Sequence, residues 1–283
     1  MKEKRKKMIC IVAAVLLLAL CIVALWPGLV VRRYEEYSGK LHESVRLAVL
    51  ADLHSGFYGE RQEKLLAAIA EQSPDAVLLV GDIVDDKKSR DGAELLISAL
   101  GDAYPCYYVS GNHEAWSEDA QGIKELLRGY GVTVLEGDTE RLSVNGQVIL
   151  IGGVDDPACF DQRYAYGDTD GSWAEQYAAC VAAQEEHIYS VLLSHRPELT
   201  AQYSDSGFDL VLAGHAHGGQ VRIPGILNGL LAPNQGLFPR YAGGRYQLGG
   251  TTLIVSRGLA RNWIPRVFNR PELVIVDLLP QVK

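Results

Sequence analysis

Cysteine is scarce in this chain, and its spacing excludes two classes of small stabilised domain. The 283 residues include only five cysteines, of which Cys10 and Cys21 fall in an apolar N-terminal stretch. The other three, at positions 106, 159 and 180, are an odd number without paired spacing. This pattern excludes a disulfide framework and a zinc knuckle.

Positive charge is also scarce once the N-terminus is set aside. Of the 27 basic and 35 acidic residues, five and one fall within residues 1–31, which leaves 22 basic and 34 acidic side chains, or a net charge of −12. General nucleic-acid binders carry an excess of basic side chains. We therefore expect no nucleic acid as a partner, although a nuclease stays open as an alternative enzyme.

One long uncharged stretch, residues 8–31, lies near the N-terminus. The 19 residues from Met8 to Trp26 are enough for a helix to cross most of a bilayer. A cleaved signal peptide and a lipid-modified Cys21 are the alternatives. Because Ala24-Leu25-Trp26 is a poor cleavage site, the pattern favours an uncleaved single-pass anchor.

Basic residues are distributed unevenly around this stretch. Five precede it, whereas only Arg32 and Arg33 follow it closely. Because basic loops tend to stay in the cytoplasm, we expect the rest of the chain on the extracytoplasmic side of the cell membrane. Residues 32–44 are then predicted to be a polar connector to a catalytic domain at 45–283.

Strand-like apolar runs alternate with helical patterns in the first half of that domain. Predicted strands cover 45–51, 76–80 and 104–109, and predicted helices cover 60–71, 93–100 and 118–130. This alternation is typical of a parallel sheet with crossover helices.

Strands follow one another more closely in the second half. They are predicted at 132–135, 141–144, 147–151, 188–193, 210–213, 220–223, 251–256 and 273–278, with one helix at 172–186. Asn145-Gly146 between two of them is a hairpin signal. Because no long polar linker divides these elements, we expect one α/β (α+β) domain with mixed sheets and outer helices.

Five of the seven histidines lie in short blocks, each of which follows a strand-like run. The blocks are Asp52-Leu53-His54, Gly81-Asp82-Ile83-Val84-Asp85, Gly111-Asn112-His113-Glu114, an isolated His195 and Gly214-His215-Ala216-His217. Any one block alone could merely satisfy backbone groups at a strand end. The whole series instead predicts one metal site.

Residue type and spacing suggest how two ions would be shared. Asp52 and His54 are two apart at a strand end, so they point to the same side. We predict one ion held by Asp52, His54 and His217, a second held by Asn112, His195 and His215, and Asp82 bridging both. Oxygen and imidazole ligands without thiolates suit manganese, iron or zinc better than calcium, and manganese is the expected metal.

The order of the blocks from Asp52 to His217 resembles the calcineurin-like metallophosphoesterase family. Residues 214–224, 256–259 and 269–272 further resemble its bacterial membrane-associated branch. The resemblance implies a four-layer αββα sandwich of two mixed β-sheets flanked by helices, with the metals at the strand ends. It also implies a metal-dependent hydrolase that cleaves a phosphoester or pyrophosphate bond by attack of a metal-activated hydroxide.

The same resemblance assigns two catalytic residues. His113 matches the family's non-ligand histidine, which contacts the phosphate and protonates the leaving oxygen. Asp85 matches the carboxylate that orients this imidazole. For Glu114 the resemblance leaves open whether it is only a supporting partner of these groups.

Two features outside the motifs have open interpretations. Residues 224–250 are rich in glycine and proline yet carry many apolar side chains, so they either pack on the sandwich or form a membrane-facing lip for a lipid-linked substrate. The second feature is a basic series, Arg257, Arg261, Arg266 and Arg270. These arginines either pair with acids or recognise an anionic group.

The leading hypothesis is a membrane-anchored phosphohydrolase that acts on a lipid or cell-envelope phosphate ester. A nuclease or nucleotide phosphodiesterase is an alternative enzyme, against which the acidity counts. A metal-binding interaction module on a degenerate scaffold is the non-enzymatic alternative. The presence of both His113 and Asp85 argues against it, because a module of this kind has no need of a general acid.

Overall fold

Two six-stranded sheets form the centre of the protein. The computed structural model describes residues 2–161, 163, 171–261 and 264–281. The strands of the first sheet are, in spatial order, β1 (Val30–Ser38), β14 (Glu272–Pro280), β2 (Val45–Leu50), β3 (Ala76–Val80), β4 (Cys106–Val109) and β5 (Thr133–Val134). Those of the second are β12 (Gly244–Leu248), β13 (Thr251–Val255), β9 (Leu210–Ala213), β8 (Tyr189–Leu193), β7 (Gln147–Gly153) and β6 (Thr139–Val144).

Helices, two short 3-10 helices (Pro157–Phe160 and His217–Gly219) and one small hairpin complete the described elements. The hairpin pairs β10 (Leu231–Ala232) with β11 (Gly236–Leu237). The helices are α1 (Lys2–Ala24), α2 (Glu63–Ala70), α3 (Asp91–Ala103), α4 (Asn112–Trp116), α5 (Ala120–Gly129), α6 (Trp173–Ala182) and α7 (Thr200–Tyr203).

Strand alternation explains the layering. In β2, Leu47 and Val49 belong to the core cluster between the two sheets, whereas Ala48 and Leu50 join the cluster beneath α2, α3 and α5. The outer face of the second sheet packs on α6 through Cys180. Since successive side chains of a strand point to opposite faces, each sheet buries both faces. The predicted four-layer sandwich of two mixed sheets is confirmed.

Two predicted segments differ from the observed structure. The predicted strand at 220–223 is wrong, because Val221 and Ile223 make only isolated bridges. Gly218 and Gly219, both with positive φ, turn the chain immediately before it. Most of the expected connector 32–44 is instead part of β1, which pairs in parallel with β14.

Buried polar contacts explain why this polar segment forms a strand. The Glu36 carboxylate is 6% exposed and accepts hydrogen bonds from Arg245 Nε at 2.5 Å and from Thr252 Oγ1 at 3.2 Å. Arg245 lies in β12, an edge strand of the second sheet, and Thr252 lies in the neighbouring β13. A paired charge is buried far more readily than an isolated one. The ion pair therefore stabilises β1 although its sequence is polar.

The N-terminal helix α1 is long and apolar enough to cross a membrane, and none of its residues is buried. Its end is attached to the domain. Phe268 N donates a hydrogen bond to Ala24 O at 2.7 Å. The Arg270 side chain donates to the carbonyl oxygens of Gly28 at 2.8 Å and Leu29 at 2.7 Å. The domain is therefore attached directly beneath the apolar helix.

Candidate metal centre

The predicted ligands lie where parallel strands of both sheets end. Asp52 and His54 follow β2, Asp82 follows β3, Asn112 follows β4, His195 follows β8, and His215 and His217 follow β9. The carboxyl ends of parallel strands meet at one edge of a sheet, which is where α/β proteins place their sites. Two packed sheets therefore bring five segments of the chain to one place.

The first group of donor atoms belongs to Asp52, His54 and His217, and these atoms lie within 4.8 Å of one another. His217 Nε2 is 3.7 Å from Asp52 Oδ1. The imidazole rings of His54 and His217 stack with 5.1 Å between their centroids. The structure thus assembles the three side chains predicted for one ion.

The second group contains Asp82, His195 and His215, also with donor atoms within 4.8 Å of one another. Asp82 Oδ2 is 3.2 Å from His195 Nε2 and 3.7 Å from His54 Nε2, so this oxygen faces both groups. Asn112 lies between Gly111, against which Asp82 packs, and His113, whose N–H donates to Asp82 Oδ1 at 2.8 Å. This placement suits the predicted bridging role of Asp82.

Four buried side-chain atoms that could bind a metal have no hydrogen-bond partner, and this shows that the residues fit metal ions. They are His54 Nε2, Asn112 Oδ1, His195 Nε2 and His217 Nδ1. A buried polar atom without a partner costs about 1–3 kcal/mol, so four in one cluster require an explanation. Divalent cations supply it, because imidazole nitrogens and amide or carboxylate oxygens are their usual ligands.

Backbone strain is concentrated in the same residues. Five of the seven predicted ligands have left-handed backbones, with φ values of 52° at Asp52, 50° at His54, 53° at Asp82, 66° at His215 and 47° at His217. This conformation costs a non-glycine residue roughly 1–3 kcal/mol, and it tends to be found at functional sites. The fold therefore maintains this cluster at an energetic cost.

Glu114 holds the strand-end loops together. Its carboxylate accepts hydrogen bonds from the backbone N–H groups of Asp82 at 2.9 Å, Val84 at 2.9 Å and Gly111 at 2.8 Å. Burial, followed by the nearby charge of Asp82, raises the pKa of Glu114 to about 7. The open question about Glu114 is thereby answered, because this residue fixes the loop that carries Asp82.

The predicted pairing of His113 with Asp85 is wrong. His113 Nδ1 lies 2.7 Å from Asp86 Oδ1. Asp85 instead folds over the backbone N–H groups of Lys87 and Lys88, and its Oδ2 lies 3.3 Å from His54 Nδ1. The turn after β3 directs two adjacent aspartates to different histidines, which a sequence alone does not distinguish. Asp85 thus supports a predicted ligand, and Asp86 orients His113.

Sequence reasoning missed a polar cluster behind His215, in which Arg196 and Asp156 are buried and Asn234 is exposed. Asn234 Oδ1 lies 2.9 Å from His215 Nε2 and 2.7 Å from Arg196 Nη1. Both nitrogens donate to this oxygen when His215 carries its proton on Nε2, which leaves Nδ1 free to bind an ion. Arg196 in turn forms a two-point ion pair with the buried Asp156. The position of Arg196 beside His195 was the only signal of this cluster in the sequence.

Charge in the centre is balanced between Asp82 and His195. Although burial raises it, the His195 charge holds the pKa of Asp82 well below its usual range. Burial lowers the pKa of His195, but the Asp82 carboxylate raises it to about 10. The site therefore favours positive charge beside Asp82, which is the charge that a bound cation supplies.

The sequence profile of the calcineurin-like phosphoesterase family matches residues 45–219, a range that includes every predicted ligand. The chain belongs to this family. Its similarity to named members extends beyond that range. The predicted resemblance is confirmed, and the chain is a phosphoester hydrolase with a fold that typically binds two divalent ions.

Two relatives and one solved structure illustrate this similarity. The phosphodiesterase YaeI of Escherichia coli is 28% identical, with 83% of this chain and 82% of that protein covered. A transmembrane protein with a metallophosphoesterase domain from Danio rerio is also 28% identical, and 84% of this chain spans 55% of it. NAD nucleotidase of Haemophilus influenzae shares the fold, with a TM-score of 0.52 and 16% identity over 77% of this chain and 46% of that one. Together with α1, the transmembrane relative indicates membrane association.

Proposed function

We propose that the protein is a membrane-anchored two-metal phosphohydrolase that acts on a lipid or cell-envelope phosphate ester. The observation that carries the proposal is the paired ligand cluster, in which Asp82 Oδ2 faces both His54 and His195. When bound, two divalent ions would supply positive charge for the phosphate and would lower the pKa of a shared water. Manganese is the expected metal, with iron or zinc as alternatives.

The protein's own groups supply proton transfer to the leaving oxygen. The His113 side chain is 25% exposed, so a substrate can reach it. Its Nδ1 is held by Asp86, which leaves Nε2 to face the substrate and donate a proton. The indole of Trp116 lies 5.1 Å from the imidazole, centroid to centroid, and limits its rotation.

A polar cavity of about 410 Å³ lies beside the second group of ligands. Arg196 and Asn234, which contact each other next to His215, both line it. Trp116 lines its opposite side. This cavity offers room and hydrogen-bonding groups for the polar part of a phosphate ester.

Exposed apolar side chains support a substrate at the membrane. In the segment 224–250, Ile226 is 83% exposed, Leu237 66% and Phe238 66%. Arg222, just before this segment, donates its backbone N–H to Val267 O at 2.9 Å. The next residue, Phe268, is bonded to the end of α1. Apolar groups in this position can enter the interface of a bilayer that α1 spans.

The proposed activity is tested with the full chain in detergent micelles. Bis-p-nitrophenyl phosphate and p-nitrophenyl phosphate are each supplied with and without manganese, and Asp82→Asn is the control variant. We expect manganese-dependent hydrolysis that this variant loses. Absence of hydrolysis with manganese, iron and zinc would instead favour the metal-binding interaction module, and hydrolysis restricted to nucleic acid would favour the nuclease.

The proposed side of the membrane is extracytoplasmic, on the basis of the five basic residues before the apolar stretch and two after it. Protease added to cells without their outer layers should digest the domain and spare cytoplasmic marker proteins. Full protection would place the domain in the cytoplasm, where it would meet different phosphate esters.

A further inference from the structure

A second cavity, of about 340 Å³, lies where the end of α1 meets the domain. Leu25, Trp26 and Pro27 from the helix end contribute to its lining, and Ile264 contributes from the domain. Unlike the polar cavity beside His215, this one is lined mainly by apolar atoms. It lies where a bilayer spanned by α1 would have its head groups, and Trp26 is a residue type typical of that depth.

Two arginines give this apolar cavity a positive rim. Of the basic series in the sequence, Arg257 is paired with Glu272, and Arg270 is bound to carbonyl oxygens next to the helix end. Arg261 and Arg266 both line the cavity. Among the residues that the structure describes, neither has a carboxylate within 4.0 Å. The structure thus pairs Arg257 with a carboxylate, binds Arg270 to the helix end, and leaves two arginines at the cavity that form no ion pair among the described residues.

The contacts of these two guanidinium groups leave room for an anion. Arg261 stacks on the Tyr58 ring, with Cζ 3.9 Å from the ring centroid. Arg266 donates to the carbonyl oxygens of Arg257 and Gly258, the latter at 3.2 Å. Each guanidinium has five N–H donors in a planar fork, so donors remain for phosphate oxygens.

The cavity shares a wall with the metal centre. Gly258, whose carbonyl oxygen binds Arg266, has a φ of 72° and packs against Asp52. A Cβ at position 258 would lie 2.6 Å from Asp52 Oδ2. A single glycine therefore separates a metal ligand from the rim of the cavity, and any side chain there would displace Asp52.

We infer that this cavity binds a phosphate-bearing lipid, with its hydrocarbon chain against Leu25, Trp26 and Ile264 and its phosphate at Arg261 and Arg266. This inference rests on the proposed function and deepens it, because it identifies where the chain of a lipid substrate lies next to the metals. The polar cavity beside His215 then accepts the rest of the molecule. The apolar lining, the two arginines without an ion pair among the described residues and the adjoining membrane helix together distinguish this ligand from a soluble phosphate.

The test uses the manganese-loaded full chain in detergent micelles and hexadecylphosphonate, whose C–P bond is not hydrolysed by phosphoesterases. Bound probe is counted by native mass spectrometry, with hexadecyl maltoside as an uncharged probe of equal chain length and butylphosphonate as a short-chain one. We expect one hexadecylphosphonate per protein and little retention of either control. Hydrogen bonds to a charged group are stronger than neutral ones, so Arg266→Gln and Arg261→Gln should each weaken binding by roughly tenfold or more.

Two further variants separate the cavity from general effects of charge. Ile264→Asp should weaken binding of the long-chain probe but not of butylphosphonate. Arg141 lies in β6, at the edge of the second sheet, and is paired with Glu185. Arg141→Gln also removes one arginine charge, and this variant should bind the probe like the unmodified chain. Melting temperatures show whether each variant is folded.

The outcomes distinguish this inference from the proposed function. Equal retention of all three probes, or binding unchanged in a folded Arg266→Gln and Ile264→Asp, would overturn the cavity assignment even if the protein hydrolyses bis-p-nitrophenyl phosphate. Specific retention that these variants lose would support it even if no substrate is hydrolysed.

Discussion

The two ligand groups of the metal centre differ in how firmly the protein holds them. In the second group, His195 Nδ1 lies 2.8 Å from the carbonyl oxygen of Val80, inside a buried strand. His215 is held by Asn234, which is fixed by Arg196. In the first group, His54 is held by Asp85 at 3.3 Å, in a turn that an exposed Lys88 covers.

This difference predicts that the two ions bind with unequal affinity. Groups that orient a ligand determine its basicity and its geometry, and their loss typically lowers metal affinity by about 10–100-fold. The supports of the second group contact their histidines at 2.8 and 2.9 Å, whereas Asp85 lies 3.3 Å from His54 in a turn whose Lys88 is exposed. We therefore expect the second ion to bind more tightly and the first to exchange more readily with solvent.

The largest effect is expected from the residue that belongs to both groups. Asp82→Asn removes the charge that faces His54 and His195, so both ions should be lost and the distinction between them abolished. A metal ion supplies several kcal/mol of transition-state stabilisation, so kcat/KM should fall by roughly 10³-fold or more. Metal analysis and hydrolysis of bis-p-nitrophenyl phosphate measure both quantities. A variant that keeps two ions would contradict the bridging role.

A large effect on turnover alone is expected from His113→Ala. The imidazole is not assigned to either ion, so metal content should stay near that of the unmodified chain while turnover falls by roughly 10²–10⁴-fold. Asp86→Asn should act through the same imidazole. The double variant should therefore cost much less than the product of the single effects. Loss of metal in His113→Ala as complete as in Asp82→Asn would show that His113 is a ligand.

An intermediate effect is expected from Asn234→Ala, which tests the support of the second ligand group. Without Asn234, His215 Nε2 loses its acceptor and Arg196 is left facing the imidazole. Affinity for the more tightly bound ion should fall by about 10–100-fold. Manganese titration measures this, and Asn228→Ala, which removes an amide of the same segment that bonds to Arg222 and Tyr246, is the matched control. Equal affinities in the two variants would remove Asn234 from the site.

The sequence predicted the strand-end ligands because their types and spacing are local properties. The alternation of strands and helices predicted mixed sheets with outer helices, and the family resemblance implied the four-layer sandwich that the structure confirms. The roles of Asp85 and Asp86 were not predictable, because neighbouring residues in a turn diverge by an amount that only tertiary contacts fix. Asn234 is 19 residues from His215, in a segment without regular pattern, so no local signal marked it. Likewise, β1 is a polar strand that is stabilised by the distant Arg245.

The smallest effect is expected from Asp85→Asn, which changes the support of His54 in the first ligand group. The amide keeps the shape of the side chain and can still accept a hydrogen bond from His54 Nδ1, but it loses the charge that favours this tautomer. At present His54, Lys88 and backbone N–H groups hold the pKa of Asp85 well below its usual value, although burial acts in the opposite direction. The carboxylate is therefore ionised throughout the neutral range, and the substitution removes a full negative charge.

Affinity for the first ion should consequently fall by up to about tenfold in Asp85→Asn, at the low end of the effect of such supporting groups. The second ion should be unaffected, and turnover with saturating manganese should stay close to normal, because Asp86 still orients His113. Stepwise removal of manganese with a chelator resolves the two ions by their rates of release. If Asp85→Asn instead lowers turnover at saturating manganese as much as Asp86→Asn, then Asp85 acts on His113 as well, and the separation of the two aspartates fails.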